Sequence, residues 1–339
     1  MNKQDMTSVI WNLTRLGPWS CKICCVDAIC IHGNCQVNLE NDVYFSYKDE
    51  LNFIQKKEII DQMIPGKYRV DFSGGELLVD PLNVDLVLHA SERLGAENVG
   101  ISISGAFLTD EIIDKLAGKI DNVELTLDYV PFKSYHLRPF GYHEQAAYAI
   151  MRLKDKGLNV GVQTVLLKDN MQKEKLVEIY EWLKKNNVDE WSLLRFFPAG
   201  RGRNYIHLMP SESDYKDIVS VIKDITKDGS VKISFQYLLP DHNRHTFECR
   251  AVKKSIGILP DGKVIGCFWA ITSGMNIEDN RFYLGNLREQ SLDEILSGPR
   301  ADYWRDKKHY CKYFKDGTAD LAHCSQEASA CLEATPSQL

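Results

Sequence analysis

The sequence predicts an α/β protein: a run of strand–helix units, followed by a smaller C-terminal part built from short strands and cysteines. Three observations predict it. Six apolar stretches, several β-branched with period-two patterning, alternate with amphipathic helical stretches between residues 9 and 198. From about residue 211 the pattern changes, and after residue 245 it reads as short hairpin strands with turns. The ten cysteines fall into two groups, at 21, 24, 25, 30 and 35 and at 249, 267, 311, 324 and 331, with none between.

The strand candidates are residues 9–14, 67–73, 98–104, 122–128, 159–167 and 190–198; Val123, Leu125 and Leu127 show the alternation most clearly. Helices are expected over 48–64, from a cap at Asp80 to about residue 94, and after a cap at Thr109. Asp110 and Glu111 in that third helix's first turn suit the positive end of its dipole. Residues 143–156 and 173–187 complete the set, and in the last Leu176, Ile179, Tyr180 and Leu183 share one face. Strand followed by helix, about six times over, implies parallel strands with right-handed crossovers. The lengths suit a partial or full α/β barrel, although a doubly wound sheet has the same local signals. Either arrangement places functional groups at the C-terminal ends of the strands. A helix over 211–227 and a strand over 231–236 finish this layer, and Pro260-Asp261-Gly262 is a turn. A boundary near 240 divides the chain into regions 1–240 and 241–339.

With 339 residues and a net charge of −6, the chain has core enough for a large domain and lacks the basic run that nucleic acid demands. No stretch approaches ~18 unbroken apolar residues, and Met1 to Leu13 lacks the apolar core of a signal peptide, so no membrane partner and a cytoplasmic location are expected. In a reducing compartment the cysteines read as metal ligands rather than as a disulfide framework.

The first strand runs into Trp11-Asn-Leu-Thr14-Arg-Leu-Gly17-Pro-Trp-Ser-Cys21-Lys-Ile-Cys24-Cys25. Closely spaced thiolates in one loop suit an iron–sulfur cluster. The second strand ends in Gly74-Gly75-Glu76, the third in Ile101-Ser-Ile-Ser104-Gly105, the fourth in Leu125-Thr126-Leu-Asp128, and the sixth in Pro198-Ala-Gly200-Arg201. In this order, on successive strands, these segments resemble the radical S-adenosylmethionine (SAM) superfamily, whose first loop carries Cys-x3-Cys-x2-Cys. The resemblance implies a partial (β/α)6 TIM-type barrel, with three cysteines holding a [4Fe–4S] cluster that leaves one iron open for SAM. Cys21 and Cys24 match the second and third cysteines, but the first position is Gly17. Cys25, Cys30 or Cys35 supplies the third thiolate, or the site is disabled. The resemblance further assigns SAM contacts to Gly74, Gly75, Glu76, Ser104, Thr126, Asp128 and Arg138, with Gln163 as a weaker candidate.

Near the C-terminus, Cys249-x12-Gly262-x4-Cys267, then Leu284-Gly-Asn-Leu287 and Ser291-Leu-Asp-Glu-Ile295, resembles the SPASM and Twitch extensions that bind auxiliary [4Fe–4S] clusters. Wide spacing of the remaining cysteines favours a Twitch-like tail with one cluster on Cys249, Cys267, Cys311 and Cys324, and Cys331 in reserve. A zinc site on the same thiolates competes with this reading; His309 and His323 read as loop residues. The implied activity is reductive cleavage of SAM to a 5′-deoxyadenosyl radical that takes a hydrogen from the substrate, with flavodoxin or ferredoxin as reductant. The tail suggests a ribosomally made peptide as substrate; a small molecule, through tetrapyrrole modification or alcohol oxidation, is the alternative. A catalytically disabled iron–sulfur protein is the third reading, on account of Gly17.

Overall fold

A computed structural model describes residues 6–31, 49–133, 135–236, 250–268 and 282–306. The chain enters through β1 (Thr7–Asn12), forms the short strands β2 (Leu16–Gly17) and β3 (Ile29–Cys30), and passes to α1 (Phe53–Gln62) and β4 (Tyr68–Ser73). Then follow α2 (Leu82–Leu94), β5 (Val99–Ser102), α3 (Asp110–Leu116), β6 (Asn122–Thr126), α4 (Tyr142–Asp155) and β7 (Val160–Leu166). The series ends with α5 (Lys173–Lys185), β8 (Glu190–Arg195), α6 (Glu212–Ile225) and β9 (Lys232–Phe235).

From β1 and β4 to β9 the strands lie side by side in chain order, all parallel. Among the described residues strand order from β1 to β9 never reverses, which excludes the doubly wound alternative, and the sheet does not close, so the architecture is a partial TIM-type barrel. On the other side of β1 lies β10 (Ser255–Ile258), also parallel, followed by antiparallel β11 (Lys263–Ile265) and β12 (Tyr283–Asn286). The C-terminal segment thus continues the same ten-stranded sheet, and α7 (Leu292–Leu296) and α8 (Pro299–Asp306) follow it. Pro260-Asp261-Gly262 closes the β10–β11 hairpin: the Gly262 amide donates to the Leu259 carbonyl at 2.9 Å, with Gly262 at φ +91°.

Local boundaries follow capping chemistry. Asn52 forms a reciprocal capping box with Gln55, so α1 starts at Phe53 rather than near residue 48. Thr109 caps α3 through the Ile112 amide, as expected. At α2 the cap position falls on Pro81, which has no side-chain acceptor; Asp80 Oδ1 instead accepts from the Leu82 amide at 3.0 Å.

One face of the sheet buries Val9, Trp11, Val70, Phe72, Val123 and Trp191 against the helices. Many of the alternate positions, on the concave face, are polar: Arg69, Asp71, Ser102, Asn122, Glu124 and Gln163, beside Ile10, Val165 and Leu194. Closed barrels fill that space with branched aliphatic side chains. Here hydrogen-bonding groups take much of it.

Candidate active site

The site forms where β1 and β4 end. The Leu13 amide still donates to the Ser73 carbonyl, and then the two chains exchange roles: Gly75 and Glu76 donate their amides to the carbonyls of Thr14 and Leu16, at 2.7 and 2.8 Å. The glycines permit this approach. A Cβ on Gly75 would sit 2.2 Å from the Leu16 oxygen, and one on Gly74, at φ +142°, 2.4 Å from the Thr14 oxygen. The Gly-Gly-Glu turn therefore clamps the backbone of the cysteine loop.

That loop is held from two further directions. The Arg201 side chain donates to the carbonyls of Cys21 (2.9 Å) and Ala28 (2.7 Å), and its amide to Cys24 (2.9 Å). Gly200, at φ +54°, lets the two chains touch, since a Cβ there would lie 2.4 Å from the Cys24 carbonyl. On the opposite side the Lys22 amide donates to the Leu137 carbonyl at 3.0 Å. Within the loop Cys24 Sγ accepts from the Ala28 amide at 3.3 Å. Cys21 is buried, which pushes its thiol pKa up, while the Arg138 guanidinium bonded to its sulfur opposes the shift.

Glu76 is almost fully buried. Its Oε1 accepts from the Leu78 amide (3.2 Å), and its Oε2 from the Ser104 amide (2.8 Å) and hydroxyl (2.5 Å). Burial pushes this carboxyl up to about 7. The Trp19 indole donates to the Ser104 hydroxyl at 3.0 Å and lies edge-on to Tyr142, with ring centroids 5.5 Å apart. Tyr142 hydrogen-bonds to the Thr126 side chain and lies under the Arg138 guanidinium, 4.9 Å from the ring centroid. Trp19 and Tyr142 were not among the residues that motif reading singles out, because neither belongs to the matched triplets.

Asp128 is the most enclosed member. Its Oδ2 takes Arg138 Nε at 2.6 Å and Nη2 at 2.5 Å, and its Oδ1 takes the Val165 amide at 2.9 Å. Its own amide donates to His143 Nε2 at 3.3 Å, which requires that nitrogen unprotonated; burial lowers His143 to about 4, so it stays neutral. Asp128 thus acts on the site through Arg138. Gln163 lies lower on the concave face, where it donates to Glu124.

The fit to the implied cofactors is uneven. A buried carboxylate, serine and threonine hydroxyls and a buried guanidinium suit the amino-acid head of SAM. For the cluster, Cys21 and Cys24 offer two thiolates. Gly17 stands in parallel register with Cys30, and a Cβ at 17 would face Gly75, 3.2 Å from its carbonyl carbon. Cys30 is disulfide-bonded, with its sulfur 3.5 Å from the Pro18 oxygen, and Cys25 is exposed. Two of the three thiolates are in place and position 17 supplies none. Among the described residues no three His, Cys, Asp or Glu side chains gather around a single-metal site. Cys267 is half-buried just past β11; Cys35, Cys249, Cys311, Cys324, Cys331, His309 and His323 lie outside the described residues.

The sequence profile of the radical SAM superfamily matches residues 11–183, and that of the SPASM iron–sulfur cluster-binding domain matches residues 249–316. The chain belongs to the radical SAM superfamily, a class of enzymes using a [4Fe–4S] cluster and SAM, and its tail is of the SPASM type, which binds auxiliary clusters. Cys249, Cys267 and Cys311 fall inside the matched tail; Cys324 and Cys331 lie beyond it. The AdoMet-dependent heme synthase of Nitratidesulfovibrio vulgaris is 20% identical over 314 residues, spanning 90% of this chain and 80% of that protein. Streptococcus suis SuiB bound to its precursor peptide SuiA shares the fold with a TM-score of 0.66 at 13% identity, over 90% of this chain and 67% of that one. Native anSMEcpe with bound AdoMet gives 0.64 at 12% identity, over 96% of both chains. No helix among the described residues is long and apolar enough to cross a membrane.

Proposed function

We propose that this chain is a radical SAM enzyme acting on a ribosomally made peptide, with SAM seated over Glu76, Ser104, Thr126 and Arg138. The observation that carries the proposal is the convergence of Cys21, Cys24, Glu76, Ser104, Trp19, Tyr142 and Arg138 at the C-terminal ends of neighbouring strands. When bound, the cluster and SAM supply one-electron cleavage to methionine and a carbon radical that takes a hydrogen from the substrate. The protein's own part is to orient. Glu76, when ionised, accepts the SAM ammonium; Arg138, braced by Asp128, faces the thiol of Cys21; the Trp19–Tyr142 pair walls the pocket against water. Flavodoxin or ferredoxin is the proposed reductant, and Cys249, Cys267, Cys311 and Cys324 the proposed ligands of the auxiliary cluster. Likeness over nearly the whole fold to proteins that bind peptides supports the peptide reading. A small-molecule substrate is the second reading, supported by the heme synthase, which is similar along most of the chain.

Gly17 gives the test its form. Iron, sulfide and reduced-state EPR are measured on anaerobically reconstituted protein beside a Gly17→Cys variant. About eight irons with SAM cleavage in the unaltered chain mean that another cysteine serves in place of position 17. About four irons, rising by about four with new SAM cleavage in the variant, mean that Gly17 has disabled the radical site. No SAM cleavage by the unaltered chain overturns the proposal, whatever the variant does.

A further inference from the structure

The concave face carries a carboxylate that forms no ion pair among the described residues. Arg69 pairs with Asp71 at 3.0 Å and with Asp121 at 2.6 Å, and Lys232 pairs with Glu190 at 2.7 Å. Glu124, between them on β6, receives only neutral donors: the Gln163 amide and the Ser102 hydroxyl, the latter at 3.4 Å. No ion pair reaches it among the described residues. Burial, with the nearby charges of Asp71 and Glu190, pushes its carboxyl up to about 7; the charge of Arg69, which Asp71 and Asp121 already share, and the Gln163 hydrogen bond oppose the rise without cancelling it.

Its neighbours across the sheet are small. In the parallel register the neighbours of Glu124 are Ser102 on β5 and Gly161 on β7, both small, and a Cβ on Gly161 would already lie 3.4 Å from Glu124 Cγ. No aliphatic side chain covers it from either adjacent strand, unlike the layers of a closed barrel. It also lies in line with the chemistry. Glu124 is two residues before Thr126 on the same face of the same strand, so it sits about 7 Å below the Thr126–Tyr142 contact.

We propose that Glu124, oriented by Gln163, anchors a cationic nitrogen of the substrate, an ammonium or guanidinium, on the concave face beneath the SAM seat. The proposal rests on the reading that the substrate meets the radical on this face, and it names the chemical class that face selects. A charge-assisted hydrogen bond in a partly desolvated groove favours a cation over a neutral group of equal size by about tenfold.

The test needs no cluster and no turnover, so its failure is separable from failure of the radical reading, which SAM cleavage decides. Affinities of n-butylamine and of n-butanol are measured at pH 8 by ligand-observed NMR on the full chain, on Glu76→Gln and on Glu76→Gln with Glu124→Gln added. The expected result is that Glu76→Gln, in which the SAM seat no longer attracts an ammonium, binds the amine about tenfold more tightly than the alcohol, and that adding Glu124→Gln to Glu76→Gln makes the two bind alike. Equal affinities in the wild type, or binding of neither, overturn the proposal without recourse to a variant. A preference that vanishes in Glu76→Gln places the cation at the SAM seat and overturns it too, as does one that persists when Glu124→Gln is added. A shorter carboxylate, Glu124→Asp in the same background, retains part of the preference if the effect is one of charge, and serves if the double glutamine variant does not fold.

Discussion

At the scale of single residues, the proposed SAM seat would couple cofactor binding to protonation through Glu76. The folded chain holds its proton up to about pH 7, whereas an unfolded chain releases it near 4.5. This group's stabilising contribution is complete below about pH 4.5 and is lost as pH rises through about 7, so stability falls over that window. SAM presents an ammonium, and on the proposed reading the ionised form is the one that would receive it. SAM should therefore bind about tenfold more tightly at pH 8 than at pH 6, and Glu76→Gln should bind weakly with a flat profile; isothermal titration calorimetry at the two pH values reads both. Equal wild-type affinity at both would remove this carboxylate from SAM recognition. Asp128 behaves differently. Matching by motif places it beside SAM, but burial with both oxygens engaged makes it the brace of Arg138.

At the scale of elements, the cysteine loop owes its shape to the segments around it. The Gly-Gly-Glu turn, Arg201 and the Leu137 carbonyl each bind its backbone. Gly75→Ala tests this dependence, since the new Cβ would fall 2.2 Å from the Leu16 oxygen. The expected outcome is a loss of about 2 kcal/mol in stability together with loss of SAM binding, read by chemical denaturation and calorimetry. Wild-type SAM affinity in a destabilised variant would separate the clamp from the site. The same scale explains why Glu124 escapes a reading of motifs. Alternation along β6 draws attention to Val123, Leu125 and Leu127, which build the core, and the intervening residues read as the solvent side. In an open barrel that side is the interior.

At the scale of the molecule, the tail completes the sheet. β10 pairs with β1 over four residues in parallel, and Ile256 and Ile258 join the same apolar core as Val9 and Trp11. A chain ending at residue 240 would leave β1 as an unprotected edge beside an exposed core. The expected outcome is an aggregating fragment, while the full chain unfolds in one transition, as size-exclusion chromatography and calorimetry would register. A monomeric 1–240 fragment with a sharp melting transition would instead make the boundary near 240 a true domain limit.

The sequence by itself determined the strand–helix alternation, the order of the motifs and the family, because hydrophobic period, caps and glycines are local properties. Gly262 and Thr109 act within a few residues of where they are read, so their roles were legible. Tertiary structure alone decided that the sheet is singly wound and open, that Asp128 braces Arg138, that Trp19 meets Ser104, and that Glu124 faces the interior with no ion pair among the described residues. Each of these depends on groups distant in the chain brought within a few ångströms, and on the dielectric that burial creates there. Neither the partner nor the burial of a charge is written in its neighbours along the sequence.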